Sequence, residues 1–206
     1  MPCRAETADP DNWRWAFYAS SSYQNSSTLG AGGVSSAATD GYDSADDWLI
    51  TSGSRMYVGT HHVNGVYGWT GETGFYSSDI RAPLQMQPGT SKLWTLYVWA
   101  DPSVPADASY TRLYWDNYYA LSDQLSFSIR VKANPAGVTG GPAVGTQWDL
   151  SAQPHGVLTL PVFRTSNGLE GYAFDFTATV IPEPPSLLAL SAFLAPLAGL
   201  AVRRRR

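Results

Sequence analysis

The chain is poor in the residues that staple a fold, grip nucleic acid or mark a familiar active site. It has a single cysteine, Cys3, so it can form no disulfide within itself and no cysteine-based metal cluster. Histidine is almost as scarce, at three residues. His61 and His62 are adjacent, and adjacent side chains on a strand point to opposite faces, so they do not readily share one metal. His155 stands alone beside Pro154. All three are read as satisfied or surface histidines. No H-E-x-x-H, G-x-S-x-G or P-loop motif occurs, so no recognisable catalytic signature is present. Basic residues are also few: of thirteen Lys and Arg, four end the chain, against seventeen acidic residues. Setting aside the C-terminal segment from Ile181, nine basic residues face sixteen acidic ones, a net charge of about −7. That balance argues against nucleic acid as a partner, because such binding rests on basic patches. It fits a solvated domain able to bind cations.

Amphipathic helical stripes are missing as well, and what fills the chain is alternation. In "LSFSIRVKAN", Leu125, Phe127, Ile129 and Val131 alternate with Ser126, Ser128, Arg130 and Lys132. In "GYAFDFTATV", Tyr172, Phe174, Phe176 and Ala178 alternate with Ala173, Asp175, Thr177 and Thr179. A period of two predicts strands with one buried and one wet face. "WRWAFYAS", "DDWLITSG", "RMYVGTHHV", "SKLWTLYVWAD", "SYTRLYWDN" and "GVLTLPVFRT" are rich in aromatic and β-branched residues and are separated by turn residues, so they too are predicted strands. Ser20 to Ser36 and Ala133 to Gly145 are low in complexity and read as loops. There is no internal repeat. The length allows one domain of about 170 residues before the tail, enough for a core without staples. The expected fold class is all-β: a single, jelly-roll-like β-sandwich over residues 9–180, preceded by a short N-terminal remnant at 1–8.

The C-terminus is built differently. Ser186 to Val202 holds no charged residue and consists mostly of Leu, Ala and Phe. As a helix it spans about 25 Å, the short end of what crosses an apolar core of about 30 Å. A core helix would show a polar face, and this run has none; it is expected to be a transmembrane helix over about 186–202. Pro196 removes one of its hydrogen bonds. Arg203, Arg204, Arg205 and Arg206 then hold the end on the cytoplasmic side. Ahead of the run, Pro182-Glu183-Pro184-Pro185 cannot join a helix or a central strand and stays extended and accessible.

Pro182, Glu183 and Pro184, followed by an apolar helix and an arginine cluster, resemble the PEP-CTERM sorting signal of Gram-negative bacteria. The resemblance covers residues 181–206 and departs from the pattern in Pro185 and Pro196. It implies export, transient residence in the inner membrane, recognition by the membrane protease-transpeptidase exosortase, removal of the tail, and delivery to the cell surface or the exopolysaccharide matrix. An exported protein needs an entry signal. "MPCRAETADPDNWRW" offers no apolar segment, so the coding start is expected upstream.

Two features of the body carry candidate chemistry. In "TDGYDSADDW", Asp40, Asp43, Asp46 and Asp47 sit in a Gly/Ser-rich turn; such carboxylates suit Ca²⁺, which takes oxygen ligands, or form a solvated acidic turn. The chain also has eight Trp and twelve Tyr, and aromatic faces stack on sugar rings. "GVYGWTGETGFY" groups Tyr67, Trp69, Phe75 and Tyr76, and "YWDNYY" groups Tyr114, Trp115, Tyr118 and Tyr119. Core packing and carbohydrate recognition are the competing readings. The expected function is a non-enzymatic surface or matrix protein with carbohydrate affinity; the alternative is an exported hydrolase with a site assembled only in space.

Overall fold

A computed structural model describes residues 9–21, 30–45, 47–50, 56–67, 69–117 and 122–182. The described chain is all-β apart from one short 3₁₀ turn, Gly168–Glu170. The strands are β1 (Trp13–Ser21), β2 (Gly30–Val34), β3 (Trp48–Leu49), β4 (Met56–His62), β5 (Gly74–Arg81), β6 (Ser91–Ala100), β7 (Tyr110–Asn117), β8 (Leu125–Ala133), β9 (Gln147–Asp149), β10 (His155–Pro161) and β11 (Tyr172–Val180). They form one sheet in the order β10-β7-β1-β2-β5-β4-β6-β11-β8-β9, with β3 added against β5. Pairing is antiparallel except between β2 and β5, which run parallel.

The alternation explains why the sheet curls. On β1, Trp13, Trp15, Phe17 and Ala19 are buried while Arg14 faces solvent. Trp13 meets Phe127 of β8 at 4.8 Å and Phe17 meets Phe176 of β11 at 5.1 Å between ring centres. Four strands separate β1 from β11 in the sheet order, so the apolar face must bend round on itself for these rings to touch. Burying each such ring contributes about 1.5–3 kcal/mol relative to leaving it in water. The geometry among them is mostly edge-to-face, as between Trp13 and Trp94 at 72°, the arrangement that aromatic quadrupoles favour.

Several sequence expectations need correction. Ser20 to Ser36 is not one loop: β1 continues to Ser21 and β2 occupies 30–34. The glycines of "GAGGV" are what conceal this strand. A side chain at Gly33 would lie 2.4 Å from the Trp13 carbonyl oxygen, and one at Gly32 would lie 3.2 Å from the Phe176 ring. Glycine is needed here for close approach, so the strand lacks the residues that advertise one. Phe75 and Tyr76 lie in β5, a strand that was not among those predicted. Within the described part of "DDWLITSG", residues 47–50, strand covers Trp48–Leu49, and "GVLTLPVFRT" is strand only to Pro161. Among the described residues no helix is long and apolar enough to cross a membrane; the expected span at 186–202 lies outside them.

Candidate functional site

The structure divides each aromatic group that the sequence had put together. Tyr67 stands in the loop after β4, almost wholly exposed at 99% and in the left-handed region with φ 53°. Trp69 and Tyr76 are buried. Trp69 stacks on His62 at 3.7 Å, and Tyr76 donates its hydroxyl to the Glu72 carbonyl at 2.7 Å. In β7, Tyr114 faces outward and lies parallel to Tyr18 at 4.6 Å, while Trp115 points into the core and donates to the Gln153 carbonyl at 3.0 Å. The burial of Trp69, Tyr76 and Trp115 fits the packing reading of the two that the sequence left open for them. Tyr118 and Tyr119 lie outside the described residues.

The acidic turn is also dispersed. Asp47 is buried at 3% exposure, and its carboxylate accepts the N–H of Asp43 at 2.8 Å and of Ile80 at 3.2 Å. Asp40 pairs with Lys92, and Asp43 accepts the N–H of Ala45 at 2.9 Å. Asp46 lies outside the described residues. Among those described, no three acidic, His or Cys side chains converge to hold a metal. Asp40, Asp43 and Asp47 are engaged by backbone N–H groups of the turn and of β5 and by one ion pair.

Asp47 borders a buried charge cluster that was not legible in the sequence. Asp79, 1% exposed, accepts from Arg81 Nε and Nη2, each at 2.9 Å, and lies 2.9 Å from His62 Nε2. Burial alone would raise the Asp79 pKa; the hydrogen bonds from His62 and Arg81 outweigh it and hold the carboxyl well below the usual range. Arg81 also donates to the Leu93 carbonyl at 3.0 Å and lies over the Trp94 ring at 5.0 Å. A Ser/Thr–His–Asp relay requires hydroxyl and carboxylate on opposite ring nitrogens. Here Thr60 Oγ1 and Asp79 both approach His62 Nε2, at 3.4 and 2.9 Å. The cluster thus cannot run a relay in this arrangement; it ties β4, β5 and β6 together.

A different set of rings does gather at the surface. On the outward face of β4, β5 and β6, Tyr57 stacks on Trp99 at 4.9 Å, Trp99 meets Phe75 at 4.5 Å, and Phe75 meets Tyr97 at 5.7 Å and His61 at 4.8 Å. The outer face of an antiparallel sheet is ordinarily polar, so this ladder is unusual. Segment 163–171 crosses it. Gly168 rests on Phe75 and Trp99 so closely that a side chain there would lie 2.6 and 2.9 Å from their rings. Two clefts open along this segment. The larger, about 410 Å³, is lined by Tyr97, Lys132, Asn134, Phe163 and Glu170 among others. The smaller, about 230 Å³, is lined by Tyr57, Phe75, Trp99, Asp101 and Thr165 among others. Burial and then the charge of Asp101 push the Tyr57 hydroxyl's pKa up. Of these rings only Phe75 was singled out from sequence. Alternation along "SKLWTLYVWAD" was the available signal: if Trp94, Leu96 and Val98 face inward, Tyr97 and Trp99 must face outward.

No protein-family model matches the chain, and no curated protein and no solved structure matches it. The functional reading therefore rests on its own residues.

Proposed function

We propose that the chain is an exported, non-enzymatic protein of the cell surface or exopolysaccharide matrix of a Gram-negative bacterium. In this reading exosortase sorts it through residues 181–206, and its body is a β-sandwich of jelly-roll type with affinity for carbohydrate. The observation that carries the reading is the order of parts at the C-terminus: Pro182-Glu183-Pro184, an uncharged run from Ser186 to Val202, then four arginines. The first part holds the chain extended, the second suits an apolar phase, and the third resists translocation. The place where the tail leaves the body supports the same reading. Val180 ends β11, between β6 and β8, and Ile181 still donates its N–H to the Gln124 carbonyl at 2.9 Å. The signal thus begins directly at a strand end, within an enzyme's reach. The ring ladder beside polar clefts supports carbohydrate affinity.

Glu183→Ala tests this reading. Glu183 lies outside the apolar run, so membrane insertion should be intact, while an enzyme that reads the side chain should no longer cut. The expected outcome is accumulation of the uncut protein in the membrane fraction of a native-type host, with loss from the cell surface. Unchanged surface delivery of the variant would count against recognition of this motif.

A further inference from the structure

We propose that the larger cleft, between Tyr97, Phe163 and the loop 133–136, is a binding site for an uncharged oligosaccharide; this rests on the carbohydrate affinity proposed above and gives it a place and a ligand class. Tyr97 and Phe163 supply aromatic walls, and Lys132, Asn134 and Glu170 supply polar groups beside them. A pyranose has the matching construction, with apolar C–H faces and hydroxyls round its edge. A volume of about 410 Å³ is within the range of small-ligand sites, about 300–1,000 Å³.

The charges select against an anionic ligand. Lys132 reaches Thr95 Oγ1 at 2.9 Å and Asp175 at 3.2 Å, so its charge is already balanced. Glu170 accepts from Thr165 Oγ1 at 2.8 Å and from Asn167 Nδ2 at 3.3 Å. Lys132 keeps hydrogen-bonding capacity for a neutral hydroxyl, while the Glu170 carboxylate, bonded only to neutral donors, keeps a negative charge that disfavours an anionic ligand. The net negative body further repels a polyanion. Asn134 donates to the Pro142 carbonyl at 2.7 Å, which holds the loop that forms one wall of the cleft. Tyr97 is also held in place by its edge-to-face contact with Phe75, which in turn packs on the buried Trp99.

The test is affinity electrophoresis of the full-length chain in detergent, in gels containing laminarin, dextran or galactomannan as neutral polymers and alginate as a polyanion. The expected result is retardation by at least one neutral polymer and none by alginate. Tyr97→Ala should weaken retention about tenfold, the size of losing one well-placed aromatic contact. Ala136→Arg should do the same by filling the cleft from an exposed loop position, so it decides the matter if Tyr97→Ala fails to fold. Val157→Ala, at an exposed position of β10, should leave retention unchanged. Retention by a neutral polymer that survives both cleft variants would overturn this site while carbohydrate affinity stands. Retention by alginate alone would overturn the ligand class. No retention by any polymer would overturn the site and the carbohydrate affinity together, leaving the sorting reading untouched.

Discussion

Asp47 illustrates how a residue that looks like a metal ligand in sequence becomes a structural acceptor in the fold. Its two backbone partners, Asp43 and Ile80, tie the acidic turn to β5. Burial is the main reason its pKa rises from the ordinary 3.8 to about 6; the Asp43 N–H opposes the rise, Asp79 adds to it, and the Ile80 N–H and His62 oppose it. The folded chain therefore binds a proton on Asp47 at a pH where the unfolded chain does not. Stability rises as pH falls between about 6 and 4, and the penalty of the buried charge is present in full above about 6. Asn does not titrate, so the difference between the wild type and Asp47→Asn isolates this effect from His61 and the other histidines. The wild type should gain stability relative to the variant as pH is lowered from about 7 to about 4.5, read from denaturation midpoints. Parallel pH curves would refute the assignment. Asp79 has the opposite sign: its depressed pKa means that its contribution is lost only in stronger acid.

At the level of elements, the strands that alternate were legible and the ones that do not were hidden. β8 and β11 appear where "LSFSIRVKAN" and "GYAFDFTATV" predicted them, because their period of two is also their burial pattern. β2 was missed because its glycines make room for Trp13 and Phe176, a reason found on neighbouring strands. The surface ladder was missed because aromatics were grouped by closeness in sequence, whereas a strand sends neighbours such as Tyr114 and Trp115 to opposite faces. Gly156 shows the same limit: a side chain there would lie 2.2 Å from the Trp115 ring, and only the β7–β10 register reveals it. Contacts between distant segments also fix the loops. Arg164 donates to the carbonyls of Val104, Pro105 and Ala108, while Ala100 and Thr165 are joined backbone to backbone at 3.0 Å. One guanidinium thus holds the loop after β6 against the segment that borders both clefts. Arg164→Ala should leave the strands protected but raise amide hydrogen exchange across residues 101–109 by about tenfold, since removing a charged donor to buried carbonyls costs about 1–3 kcal/mol. Unchanged exchange in that loop would show that the clamp is not needed.

For the whole molecule, the central claim is that the tail is a removable address. Five residues separate β11 from Ser186, and a fully extended chain covers at most about 3.6 Å per residue. Before cutting, the body would be held within about 18 Å of the bilayer surface. A permanent anchor would more naturally have a longer span without Pro196. Mass spectrometry of the protein's C-terminal peptide, in a native-type host with and without exosortase, tests the claim most directly. With the enzyme, the mature chain should end near Pro182-Glu183-Pro184; without it, the peptide should extend through Val202 into the arginines. Persistence of that peptide on the mature protein in both strains would contradict the account and make the tail an ordinary anchor.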